Sequence, residues 1–187
     1  QGSNFQATSA INSYYQRLQD VLGQPGAANS IDTFMTGFFN AVQQVAGSPE
    51  TGSLKGNAVA AGNAIAKQIS GLATNLYDLR FEADGEISNT VAAVNGLLER
   101  LYNINSALTQ AKYLGQSTAG LLDDRDKALQ GLSEYMNIST SISATGAVGV
   151  IAGDGAVLLE EGVRHELRYS RMQSTSVLSD DASLNPI

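Results

Sequence analysis

Residues 53–113 read SLKGNAVAAGNAIAKQISGLATNLYDLRFEADGEISNTVAAVNGLLERLYNINSALTQAKY, and the spacing of apolar residues in this stretch decides the fold class. Ile65, Ile69, Leu72, Leu76, Leu79 and Ala83 alternate by four and three, as in a heptad seam. Ile87, Val91, Val94, Leu98, Leu101, Asn105 and Leu108 form a second such series. Leu76 and Ile87 are eleven residues apart, so a stutter of four separates the two series. Asp84-Gly85 lies at the join, which leaves two readings: one helix locally unwound, or two helices meeting at a kink. At ~1.5 Å per residue, an unbroken helix of this length would span roughly 90 Å. Rods and filaments contain helices of that length, and compact domains rarely do.

Two shorter helices precede it. Ile11, Tyr14, Tyr15, Leu18, Val21 and Leu22 make one apolar stripe, which Gly23 and Pro25 end. Asn29 or Ser30 is placed to cap the next helix, whose face is Ile31, Phe34, Met35, Phe38, Phe39, Val42 and Val45. Gly47 and Pro49 close it. Phe residues bury much area each, so Phe34, Phe38 and Phe39 are expected to anchor the core. Gly47 to Ala66 is rich in small residues but keeps Leu54, Val59, Ala61 and Ile65 in phase; it reads as a weakly packed start of the long helix.

On the other side, Leu114-Gly115-Gln116-Ser117 is a stop and turn. A further helix, capped by Ser117 or Thr118, should run to about Met136 with Leu122, Leu129, Leu132 and Met136 as its apolar line. The period then falls to two. Ile138 to Ser143 alternates apolar and hydroxylic residues, and Val/Ile-rich runs follow at 147–152, 157–159 and 163–169. Thr145-Gly146, Gly153-Asp154-Gly155 and Glu161-Gly162 break them, so the region reads as an antiparallel meander. The expected architecture is α+β: an elongated antiparallel helical bundle with long coiled-coil-like helices, followed by a small antiparallel β domain. Residues 1–7 form a lead-in, with Gln1-Gly2-Ser3 reading as an engineered scar. The bundle covers 8–137, and a partial β domain covers 138–187, its sheet expected to continue past the last residue.

Composition narrows the function. The net charge is −7 and only 11 basic residues occur, scattered along the chain, so a surface that displaces nucleic-acid or membrane counterions is not expected. Cysteine is absent, which excludes disulfides and thiolate metal sites. No apolar run reaches the ~18 residues of a membrane span, and no charged-then-apolar leader is visible at the start.

Candidate chemistry resolves into structure. Asp123-Asp124-Arg125-Asp126 is the densest charge cluster. A calcium loop needs glycine and alternate spacing, whereas this run occupies the first turns of a helix, where acidic residues favour the positive end of its dipole. Arg125 falls on the Leu122/Leu129 line, so its stem should pack while its guanidinium finds a carboxylate or carbonyls on a neighbouring helix. His165 is the single histidine, and a metal site needs several ligands. Gly153-Asp154-Gly155 lacks the Lys-Ser/Thr and helix of a phosphate loop. No G-x-S-x-G elbow is present. No metal, cofactor or catalysis is expected.

The run Leu121-Leu122-Asp123-Asp124-Arg125-Asp126-Lys127-Ala128-Leu129, then Leu132-Ser133-Glu134-Tyr135-Met136-Asn137-Ile138, resembles the family of flagellar hook-associated protein 1, the hook–filament junction protein. Members carry a leucine-leucine-aspartate-x-arginine-aspartate helix leading into a β domain. Leu121, Leu122, Asp123, Arg125, Asp126, Leu129, Leu132, Tyr135 and Asn137 stand at the matching places. The Phe-rich helix of 31–49 and the heptad stretch to Leu108 match too, so the resemblance covers roughly 8–169. The family's terminal heptad segments are missing and the β region stops early, which makes the chain look like a trimmed central piece. The resemblance implies a structural protein of the bacterial flagellum that is exported unfolded by the type III route without a cleaved signal peptide. It implies a ring of copies between hook and filament, contacts with neighbouring hook and hook-associated proteins, and an export chaperone that binds outside this piece. The isolated piece is expected to be monomeric, since its short helices can fold back over the long one. The competing readings are another secreted helical type III substrate, such as a flagellin-like or adhesin-type binding module, and an enzyme built on Asp154, Arg164 and His165.

Overall fold

The computed structural model describes residues 2–160 and 162–172, with side chains from residue 8 onward. The part of the expected β domain at 173–187 lies outside the described residues. Four helices come first: α1 (Gly2–Leu22), α2 (Ile31–Gly47), α3 (Gly52–Tyr113) and α4 (Ala119–Tyr135). Four strands follow: β1 (Ile138–Ile142), β2 (Val148–Ala152), β3 (Val157–Glu160) and β4 (Val163–Arg164). They pair in sequence order, all antiparallel, in one sheet. The helix starts and stops fall where the sequence places them. Gly23 takes φ 73 after α1, and Ser30 and Thr118 stand at the N-cap positions of α2 and α4, neither making a side-chain cap hydrogen bond. Two local expectations fail. The first helix runs from Gly2, since no breaker separates 2–7 from the stripe beyond, so no separate lead-in exists. The last strand ends at Arg164 rather than reaching Tyr169: beyond His165, Leu167, Tyr169 and Arg171 bond to the long helix instead.

The 62-residue α3 is helical throughout, including Asp84-Gly85. A single glycine costs a helix about 1 kcal/mol relative to alanine, too little to interrupt a helix held by long flanks on both sides. The chain nevertheless divides into two compact units at that point. Of the described residues, one unit holds 2–11 and 84–171, and the other holds Asn12–Ala83 with Met172. The division expected at 137/138 marks a change of secondary structure only, because the sheet packs with the second half of α3 and α4.

In the first of these units, the second heptad series supplies the core. Val94, Leu98, Leu101 and Leu108 are at most 2% exposed, at the four-and-three spacing read from sequence. Ala128 and Leu132 of α4 and Val148, Val150, Ala152, Leu158 and Leu159 of the sheet are buried as well. All but Leu108 join one cluster. Full burial of each large aliphatic side chain stabilises by about 1.5–3 kcal/mol.

In the other unit, α3 partners fall in number as the chain rises: Arg17 pairs with Glu82, Asn29 accepts from Gln68, and Phe38 lies on Gly62. Both α1 and α2 therefore run antiparallel to α3. Here the expectation of a Phe-anchored core is wrong. Helix α2 buries no residue completely; Phe34 and Phe38 are half-buried, and Phe39 is 57% exposed. The apolar arc of α2 is wider than the one line of contact that α3 provides, and the fully closed core forms only where a sheet covers the helices.

Candidate functional site: a helix face that reads the sheet backbone

Asn105 occupies a position in the apolar seam of α3, 7% exposed. Its Nδ2–H donates to the Val148 carbonyl at 2.8 Å, and its Oδ1 accepts the Val148 N–H at 2.8 Å. One carboxamide thus satisfies both backbone groups of the first residue of β2. Asn95 repeats the arrangement with Leu167, whose carbonyl and N–H it engages at 2.9 Å each. Buried or half-buried peptide groups outside a ladder are costly when unpaired, so these two asparagines fix where the β region lies on the helix. Asn105 had a signal in sequence, a polar residue in a heptad seam. Asn95 had none.

The β1–β2 turn is gripped from α4 and from the end of α3. Gly146 sits there with φ +88, and an ideal Cβ on it would lie 3.4 Å from Leu122 Cδ2. Arg125 Nη1 donates to the Gly146 carbonyl at 2.9 Å. Its Nε and Nη2 donate to Asp126 Oδ1 at 2.9 and 2.7 Å. Lys112 Nζ donates to the Ala144 carbonyl. Arg125 is 9% exposed; it is buried on the apolar line as the sequence indicates, but its carbonyl belongs to a turn of the sheet and its carboxylate to the next residue, not to a neighbouring helix. Leu122 and Leu129 are half-buried, Leu129 packing against the core cluster. Asp123 is exposed. Asp126 is exposed as well and braces Arg125. The aromatic residues Phe34, Phe38 and Phe39 lie in the other unit and take no part.

Asp84, 8% exposed at the middle of α3, accepts the Tyr169 hydroxyl at 2.7 Å and meets Arg171 Nε at 3.4 Å. Gly85 beside it leaves room for that guanidinium: an ideal Cβ there would lie 2.8 Å from Arg171 Nη2. The hydrogen bond to Asp84, and secondarily burial, push the Tyr169 phenol above its ordinary pKa. The segment after β4 is thus fastened to α3 at Asn95 and again at Asp84.

Asn95, Asn105, Lys112 and Arg125 each bond to backbone groups, whereas Asp84 holds the side chains of Tyr169 and Arg171. Among the described residues no cluster of three potential metal ligands occurs, and no helix is long and apolar enough to cross a membrane. His165 is exposed, and its N–H donates to the Leu158 carbonyl at 2.9 Å. A groove of about 700 Å³ beside Asn105 is lined by Ser106, Thr109, Ser141, Ser143, Thr145 and Glu160 among others. Ser106 and Thr109 donate to carbonyls of their own helix.

The family model for the flagellar hook-associated protein FlgK helical domain matches residues 15–183. The chain belongs to this family. Flagellar hook-associated protein 1 of Bacillus subtilis (strain 168) is 26% identical over 153 residues, covering 79% of this chain and 30% of that protein. The flagellar hook junction protein FlgK from Burkholderia pseudomallei superposes with a TM-score of 0.72 at 24% identity, covering 84% of this chain and 28% of that one. The chain therefore has the FlgK fold and spans about 30% of the curated relative. The leucine-leucine-aspartate-x-arginine-aspartate run that carries the resemblance to the family is the element that grips the Gly146 turn.

Proposed function

We propose that this chain is a structural segment of the bacterial flagellum, placed at the junction between hook and filament. The observation that carries the reading is the family match over 15–183, supported by the side chains of Asn95, Asn105, Lys112 and Arg125, which hold backbone groups. Its role is mechanical: it transmits load through a fixed helix–sheet joint and catalyses nothing. The protein is exported unfolded by the flagellar type III route, with a chaperone before transit, and works outside the cell. The absence of cysteine suits passage through a narrow channel, because no cross-link forms ahead of threading. In the flagellum it forms a ring with its own copies, held between hook and other hook-associated proteins. The isolated chain is a monomer.

The test is immunogold labelling of isolated flagella with antibody against this chain, alongside deletion of its gene. Label confined to the hook–filament boundary, with hooks lacking filaments in the deletion strain, supports the reading. Label elsewhere on the cell, with swimming retained, would replace it by a secreted adhesin or another export substrate.

A further inference from the structure

Asn95 is followed by Gly96, the one Asn-Gly pair in the chain. That dipeptide carries a reaction of its own. The main-chain nitrogen of the second residue attacks the carboxamide carbon of the first, and glycine, with no Cβ, neither shields the nitrogen nor restricts its approach. A bond forms between Gly96 N and Asn95 Cγ, ammonia leaves, and a five-membered succinimide results. Water then opens the ring at either carbonyl, giving aspartate or isoaspartate. The fold opposes the first step twice. Asn95 and Gly96 lie inside α3, where main-chain N–H groups are donated four residues back and the backbone is fixed. The carboxamide is itself held at both ends by Leu167, its Nδ2–H on the carbonyl and its Oδ1 on the N–H, at 2.9 Å each. Gly96 is exposed, and an ideal Cβ on it meets nothing within 4 Å, so packing does not call for glycine there.

We propose that Asn95 is a site of self-modification that the fold suppresses: the chain deamidates there while unfolded, and the product no longer fastens the segment after β4 to α3. The donor inventory gives the consequence. A carboxamide offers a donor to the Leu167 carbonyl and an acceptor to its N–H, whereas a carboxylate offers acceptors alone. The Leu167 carbonyl then loses its partner and faces a negative charge. Isoaspartate does more, because it adds a carbon to the main chain of α3. Val94 and Leu98 on either side are 2% and 0% exposed, and an extra main-chain atom between them puts the buried seam out of phase. Asn105 makes the same pair of bonds to Val148, but Ser106 follows it, and a Cβ on the attacking residue slows ring closure. Of the two asparagines that fix the β region on the helix, the one that holds Leu167 is the one exposed to this chemistry. The reaction needs only the chain and water, wherever the protein works.

The purified chain is kept at mildly alkaline pH in two samples, one folded and one in guanidinium chloride, and the tryptic peptide 81–100 is followed by fragmentation mass spectrometry. Asn89, which precedes Thr90 in the same peptide, is the internal reference. Conversion at Asn95 in denaturant, on the order of tenfold or more slower in the folded sample, with Asn89 little changed in both, supports the proposal. Equal rates in the two samples, or no conversion in denaturant, would overturn it. Gly96→Ala should bring the conversion of Asn95 in denaturant down to the level of Asn89; an unchanged rate would show that the nitrogen of residue 96 is not the attacking group. After return to native buffer, the aged wild-type chain should exchange its amide hydrogens at 165–171 faster than a chain denatured only briefly, and aged Gly96→Ala should not. Asn95→Asp, which brings the charge without the extra main-chain carbon, should show the faster exchange without ageing. Exchange at 165–171 as slow as in the fresh chain, in both the aged protein and Asn95→Asp, would mean that the anchor survives deamidation and would overturn the proposed release.

Discussion

The carboxamide of Asn105 and the peptide groups of Val148 form a closed pair of hydrogen bonds, each 2.8 Å, across 43 residues of chain. A buried polar residue in a coiled-coil-like seam usually costs stability. Here it sets the register between helix and sheet.

Asn105→Leu should therefore destabilise the chain although it adds apolar volume to an apolar seam. Two backbone groups lose their partners, at about 1–3 kcal/mol each in buried surroundings, and the hydrophobic gain of one side chain does not offset them. Urea unfolding should show a lower midpoint for the variant, by about 2–4 kcal/mol in total. A midpoint equal to the wild type would show that water replaces the carboxamide at no cost.

Arg125→Leu should lower stability by about 1–3 kcal/mol by stranding the Gly146 carbonyl. Arg125→Lys should recover part of this, since an ammonium reaches one acceptor but not both Gly146 and Asp126. Differential scanning calorimetry of the two variants checks the order; a leucine variant as stable as the wild type would make the guanidinium incidental.

Two glycines should respond differently to alanine. Gly146→Ala forces a side chain into φ +88, at a cost of about 1–2 kcal/mol. Gly85→Ala displaces only the end of Arg171, which is 52% exposed and flexible, while Tyr169 keeps its bond to Asp84, and helix propensity returns about 1 kcal/mol. Thermal melts should therefore show Gly146→Ala clearly destabilised and Gly85→Ala near wild type. Equal losses in both would mean that Arg171 cannot move aside.

The Tyr77 hydroxyl is buried without a hydrogen-bond partner among the described residues, while its ring stacks on Phe81 with centroids 6.4 Å apart. Tyr77→Phe keeps the stacking and removes the unpaired group, so stability should rise by about 1 kcal/mol. A fall in denaturation midpoint would reveal a partner for that hydroxyl.

Tyr169 gives an alkaline prediction. Its folded pKa lies above the unfolded value near 10, so the folded state retains this proton at a pH where the unfolded state has begun to lose it. The contribution is fully present below the ordinary tyrosine pKa and is lost as pH rises through the raised one. Stability measured from pH 9 to 12 should fall in the wild type, and Tyr169→Phe should remove this component of the fall. Identical pH profiles would separate the phenol from Asp84.

Periodicity in the sequence determined the helices, their stops, the four strands and the buried seam from Val94 to Leu108, because each depends on neighbours within a turn or two along the chain. The family-like run at Leu121–Leu129 and the buried place of Arg125 on its apolar line were legible for the same reason. Tertiary structure decided the rest. Which half of α3 became a closed core depended on where the sheet lay, and so Phe39 ended in solvent while Leu98 did not. Spacing alone leaves the stutter at Asp84-Gly85 open between a local unwinding and a kink; in three dimensions it is a notch and an acceptor for Arg171 and Tyr169, residues more than eighty positions away. Asn95 and Leu167 are 72 residues apart, and no local pattern encodes a bond between them. Local spacing reports which face of an element is apolar, but the partner of that face, and of each peptide group left outside a ladder, exists only once the chain has folded back on itself.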